Sequence, residues 1–244
     1  LKVPEWMQGL MPTLVIPFTS SFIAGLIMYY IIGTPINWVA SQITGYLGGL
    51  DRSQLLFYGA IIGILSSIDY GGAINKVVFA FVFTLFSEQI YEPITVLILA
   101  SMVTPFGLTM AYFIGKVIGK NIFNKQEVET LKTAFPMGVC QITEGCFPIV
   151  LNDLFKNVIA TGVGGAVGGA LSMLWGADSH IPASGMFAVF TMTRPWAFIG
   201  ALLLGSLATA ITILILRPQV DPEAEVVIQE VEEDELSWDD LKIS

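Results

Sequence analysis

The sequence predicts an all-α fold, that of a polytopic helical membrane protein with broken helices and re-entrant hairpins. Three observations predict it. Hydrophobic residues make up 54% of the chain and charged residues only 13%, with a mean hydropathy of +0.73; a soluble domain usually carries about 25% charged residues. The apolar residues come in long runs, several of them near the roughly 20 residues that a spanning helix needs. A membrane β-barrel would instead show alternating segments of about 10 residues. Finally, glycine, proline and isolated carboxylates interrupt two of the runs, at Asp69-Tyr70-Gly71-Gly72 and between Pro136 and Pro148.

Taken in order, residues 10–32 form a run long enough to cross, with Pro12 and Pro17 bending its start. Residues 35–50 mix apolar residues with Trp38, Gln42, Thr44 and Tyr46, the pattern of an amphipathic helix lying at the interface. Residues 55–68 enter the membrane and meet Asp69, and residues 77–86 are too short to span alone. Together the two halves predict a broken helix or re-entrant hairpin. Residues 93–115 are a clear span with a kink at Pro105. They lead into a loop carrying Lys116, Lys120, Lys125 and Lys132, whereas the preceding connection holds Glu88 and Glu92 and no basic residue. The excess of lysine puts the first loop in the cytoplasm and the acidic one outside. Residues 133–155 are apolar, flanked by Lys132 and Lys156 and broken in the middle, so a re-entrant loop with both ends inside is expected. Residues 157–176 then cross outward, residues 181–193 are short and end at Arg194-Pro195, and residues 196–216 cross back to Arg217.

The formal charge of −9 belongs to the end of the chain. Residues 221–244 hold ten Asp/Glu and one Lys, while residues 1–220 hold ten of each sign. Two parts follow: a membrane-embedded region, 1–216, and an acidic, flexible cytoplasmic tail, 217–244. The chain lacks the basic patch of a nucleic-acid binder. No signal peptide precedes the first span, and the chain opens on Leu1. Cys140 and Cys146 form no CxxC pair, and two cysteines in an apolar segment are poor evidence for a disulfide.

Chemistry at membrane depth concentrates in the two interrupted runs. An ionisable group there costs several kcal/mol unless it is paired or faces a wet cavity. In Asp69-Tyr70-Gly71-Gly72-Ala73-Ile74-Asn75-Lys76 the glycines let the backbone leave the helix, freeing amides and carbonyls beside Asp69 and Asn75. Broken helices of this kind line substrate cavities in transporters; the alternative is that Asp69 and Lys76 sit at an interface and are solvated there. The second stretch contains Thr143 and Glu144, with no basic residue between Lys132 and Lys156 to pair with the carboxylate. Glu144 is either a bidentate acceptor for sugar hydroxyls, since charge-assisted hydrogen bonds are about twice as strong as neutral ones, or a cap on a half-helix. His180, the single histidine, is equally a ligand or a solvated loop residue.

Three motifs in order carry a family resemblance over roughly residues 10–216. Ile142-Thr143-Glu144-Gly145 with Pro148 resembles the I-T-E-G-x-x-P signature of fructose-family enzyme IIC, the membrane component of the bacterial phosphoenolpyruvate-dependent sugar phosphotransferase system. Residues Asp69 to Lys76 are similar to its D-M-G-G-P-x-N-K segment, with Ala73 in place of proline. Gly168-Gly169-Ala170-Leu171-Ser172-Met173 resembles its G-G-A-L-S-M helix. The family's P-H-G-G element is replaced here by Ser179-His180-Ile181-Pro182-Ala183-Ser184-Gly185. The resemblance implies a multi-pass protein of the bacterial inner membrane that binds fructose or a related sugar. It implies an elevator-type homodimer surrounded by lipid, with enzyme IIB and IIA phosphocarriers as partners. Glu144 would hold the sugar, with Thr143, Asp69, Asn75 and His180 as further candidates. Fewer spans are present than the family has, which implies N-terminal helices absent from this chain.

Competing classes are weaker. Gly162-Val163-Gly164-Gly165-Ala166-Val167-Gly168-Gly169 misses the GxGxxG spacing and ends without GK[ST], so no nucleotide site is expected. Gly164 with Gly168, and Gly165 with Gly169, instead give small-xxx-small packing faces. Neither cysteine has the electropositive neighbours that a phosphate-accepting thiolate needs, and one histidine builds no convincing catalytic triad. No catalytic residue, metal or cofactor is therefore expected, and phosphoryl chemistry falls to the partners of a phosphotransferase complex. The rival transport reading is an ion-coupled secondary sugar transporter with Asp69 and Glu144 as coupling carboxylates.

Overall fold

A computed structural model of the protein describes residues 16–27 and 52–220. The expected interfacial helix at 35–50 and the acidic residues 221–244 lie outside the described residues. Every regular element among the described residues is helical. Helix α1 covers Ile16–Ile27, α2 Arg52–Ser67, α3 Ala73–Ser87, α4 Glu92–Ile118 and α5 Lys125–Val139. A 3-10 turn, Glu144–Cys146, leads into α6, Phe147–Asn152; α7 is Leu154–Trp175, and a second 3-10 stretch, Gly185–Thr191, precedes α8, Pro195–Leu216. Three of these helices, α4, α7 and α8, are long and apolar enough to cross a membrane. Helix α1 buries none of its residues.

Helix α4 is the centre of the bundle. It is apolar on every side, and Ile94, Val96, Ile98, Leu99, Ala100, Met102 and Val103 are fully buried. Apolar all round is the pattern of a helix enclosed by others. Pro93 in its first turn suits the start of a helix, and Gly119, left-handed at φ +73°, ends it.

Helix α7 packs on two partners through its two glycine faces. A β-carbon on Gly63 would strike the Gly165 carbonyl, and one on Gly59 would strike the Gly169 carbonyl, so α2 and α7 meet backbone to backbone. On the opposite side Gly164 and Gly168 lie against Gly205 of α8. Small residues at this spacing let helices approach closely where lipid gives no hydrophobic drive for association. Helix α8 turns Leu203, Leu207, Ile211 and Ile215 outward at four-residue spacing, each more than one-third exposed. An outward apolar stripe is what lipid demands.

The lysine-rich connection is shorter than the sequence suggests. Lys116 belongs to the last turn of α4, and Lys125 and Lys132 lie on α5. A capping box starts that helix: the Glu127 N–H donates to Asn124 Oδ1 at 2.8 Å, and the Asn124 N–H donates to Glu127 Oε2 at 3.1 Å. The packed body also runs past residue 216. Arg217 is buried and its Nη2 lies 2.9 Å from Glu127 Oε1, joining the end of α8 to the start of α5. Its guanidinium also donates to the carbonyls of Ile122 and Ile149, and Asn152 Nδ2 donates to Glu127.

Candidate functional site

The site begins where α2 stops. Between Ser67 and Ala73 the chain makes a turn in which Tyr70 and Gly71 both take left-handed backbone, φ +46° and +91°. Glycine adopts this conformation readily, whereas a tyrosine gives up about 1 kcal/mol. Burial of the ring offsets that: Tyr70 is 3% exposed, its hydroxyl lies 2.9 Å from Thr161 Oγ1, and Phe147 meets it edge-on.

Asp69 folds back over Gly72 and accepts hydrogen bonds from the Ile74 N–H at 2.6 Å and the Asn75 N–H at 3.4 Å. These donors belong to the first turn of α3, where no residue of the helix itself can accept them. Asp69 therefore serves as the cap of α3, a position that also favours negative charge. Asn75 is buried and donates from Nδ2 to the Ser66 carbonyl at 2.8 Å. The two residues hold the break closed.

The other half of the site is the turn after α5. Pro105 lacks the N–H that would bond the Ser101 carbonyl one turn earlier in α4. The buried Thr143 hydroxyl donates to that carbonyl at 3.2 Å. A β-carbon on Gly138 would collide with the Pro105 ring, so α5 also seats there. Pro105, where the sequence predicts a kink, thus marks a docking point. Gln141, left-handed at φ +67°, accepts through Oε1 from the N–H groups of Ser184 and Gly185, both at 3.1 Å. The turn is fixed from both sides.

Glu144 stands at its tip, opening the 3-10 turn. The side chain is exposed and reaches the helix break: a β-carbon on Gly71 would lie 2.8 Å from Glu144 Oε1. Its carboxylate makes no hydrogen bond or ion pair among the described residues, and it caps neither the 3-10 turn nor α6. Of the two readings of Glu144, capping is the one this geometry disfavours; the capping carboxylate is Asp69. Phe147, 38% exposed, sits in the same turn of chain. The arrangement combines a charged acceptor without an internal partner, a tight backbone turn and an aromatic surface. It suits a neutral solute with several hydroxyls.

Four of the five candidate residues, Asp69, Asn75, Thr143 and Glu144, thus gather around Gly71 and the middle of α4. His180 does not join them. Its ring packs on Tyr91 at 4.4 Å between centroids and its Nδ1 lies 2.6 Å from the Thr191 carbonyl. Tyr91 and Ser101 are ten residues apart, about 15 Å along α4 at 1.5 Å per residue. The sequence assigns no role to Gln141, Tyr70 or Thr161. A left-handed glutamine carries no pattern, and the Tyr70–Thr161 contact joins residues 91 apart. Cys140 and Cys146 are both free thiols, the first exposed and the second buried.

Comparison with known proteins gives relatives that include components of fructose phosphotransferase systems. The chain is 31% identical over 223 residues to the PTS system fructose-specific EIIB'BC component of Haemophilus influenzae, covering 91% of this chain and 39% of that protein. It is 32% identical over 220 residues to the PTS system fructose-specific EIIC component of Haloferax volcanii, covering 90% and 58%. It is 29% identical over 219 residues to the Fructose permease IIC component of Bacillus amyloliquefaciens, covering 90% and 70%. The chain spans about two fifths of the Haemophilus influenzae protein's length. No protein-family model matches, and no solved structure does. The resemblance carried by the three motifs therefore extends over about nine tenths of the chain, at identities near 30%.

Proposed function

We propose that this chain is the membrane-embedded, sugar-translocating part of a phosphotransferase permease, taking up fructose or a related sugar and presenting it to a IIB partner for phosphorylation. The observation behind this reading is the unpaired Glu144 carboxylate set against Gly71 at the break between α2 and α3. Relatives named for fructose supply the solute class. Glu144 binds sugar hydroxyls. Thr143, Asp69 and Asn75 hold the two halves of the site in register, and His180 lies outside it. Phosphate passes from IIA to IIB and from IIB to a hydroxyl of the sugar that this chain presents. The protein works as a homodimer in the bacterial inner membrane, moving its sugar site by an elevator-like shift, with residues 217–244 on the cytoplasmic side.

Sugar binding to the purified protein tests the assignment. Glu144→Gln keeps the shape and removes the charge, a loss of about 1.5–3 kcal/mol for a charged hydrogen bond, or roughly tenfold or more in affinity. Unchanged affinity in a well-folded variant would sink it. Binding that rises with Na⁺ or with protonation would instead favour an ion-coupled transporter.

A further inference from the structure

We propose that the acidic segment 221–244 docks back onto a basic cavity between the end of α4 and the start of α5. The cavity has a volume of about 580 Å³ and is lined by Tyr112, Lys116, Asn121, Lys125 and Glu129, among others. Its charges do not cancel. Glu129 is held by Lys132, with Nζ and Oε1 2.5 Å apart. Lys116 and Lys125 are exposed and form no ion pair among the described residues. Lys120, the other lysine of this connection, donates to the Leu214 carbonyl and closes the end of α8. Two lysines without an ion pair among the described residues therefore line one pocket.

The described chain ends on a residue bonded to the wall of that pocket. The Val220 N–H donates to the Asn121 carbonyl at 2.9 Å, and Asn121 Nδ2 donates to the Val220 carbonyl at 3.1 Å. This two-way pairing fixes the last described residue against a residue that lines the cavity. The next residues include Asp221, Glu223 and Glu225, and the whole segment holds ten carboxylates against Lys242. Five extended residues reach at most about 17 Å, far enough for these three acidic groups to meet the rim. A tether this short gives an effective concentration on the order of millimolar. Weak, salt-sensitive attraction to Lys116 and Lys125 is then enough for docking. An acidic partner approaching the same lysines has to displace a competitor carried by the chain itself.

Zero-length carbodiimide coupling of the full chain in detergent, followed by peptide mapping, tests this. At low salt Lys116 or Lys125 should couple within one chain to Asp221, Glu223 or Glu225. The yield should fall about fivefold or more in 0.5 M NaCl, where the screening length is only a few ångströms. It should vanish in K116Q/K125Q while the Lys132–Glu129 coupling persists and reports an intact α5. If that control is lost and the variant is misfolded, the salt response of the unaltered chain decides. Tail coupling spread equally over Lys132 and Lys156, coupling only between two chains, or no tail coupling beside an intact control would each overturn the proposal.

Discussion

At the scale of single residues, carboxylates alike in composition do different work. Asp69 and Glu144 both stand in apolar surroundings, and the sequence marks each as a candidate ligand. Asp69 is bonded to two N–H groups of α3, whereas Glu144 has no partner among the described residues. Asp69→Ala should lower stability by about 0.5–2 kcal/mol, the worth of a helix cap, while Asp69→Asn, an equally good cap, should stay close to wild type. Denaturation of the two variants in detergent checks this. A stable Asp69→Asn protein with weakened sugar binding would make Asp69 a ligand after all. The glycines beside Asp69 and the isolation of Glu144 were legible in the sequence. The meeting of Glu144 with Gly71 was not, because it joins positions 73 residues apart and no local pattern encodes it.

At the scale of elements, helix boundaries and packing faces were the most legible part. The glycine spacing on α7 assigns both its faces correctly, because close approach of backbones needs small residues and leaves a periodic mark. Gly63→Ala should push α2 from α7 and lower stability by about 1–3 kcal/mol, as overpacking does. A thermal-stability measurement that finds no change would break this account of the seam. The sequence suggests a loop for the lysine connection because four lysines within 17 residues read as polar. Yet Asn124 with Glu127 is a helix-start signature in plain view. Pro105 and Thr143 couple two elements through the Ser101 carbonyl. Thr143→Val should cost about 0.5–1.5 kcal/mol. That cost should shrink when Pro105→Ala restores the missing N–H, a coupling that a double-mutant cycle reads directly. Equal costs in both backgrounds would separate Thr143 from Pro105.

At the scale of the molecule, Arg217 proves more than a topological marker. It is enclosed with Glu127 and joins the end of α8 to the start of α5. Removing one partner of a buried pair leaves an uncompensated charge, so Glu127→Gln should destabilise by about 3–5 kcal/mol, while an apolar replacement of both should cost far less. Comparing unfolding of the single and double variants checks it. This pairing was hidden in the sequence because its partners lie 90 residues apart. Sidedness can be probed on the same region. A cysteine at the exposed Gln126, with Cys140 and Cys146 replaced, should resist an impermeant reagent in intact cells. The central claim is coupling of sugar uptake to a phosphorylated partner, and transport into vesicles carrying the protein tests it most directly. Fructose or a related sugar should accumulate as its phosphate only when phosphoenolpyruvate and the general, IIA and IIB phosphocarriers are enclosed. Accumulation of unmodified sugar driven by an imposed proton or Na⁺ gradient would contradict it.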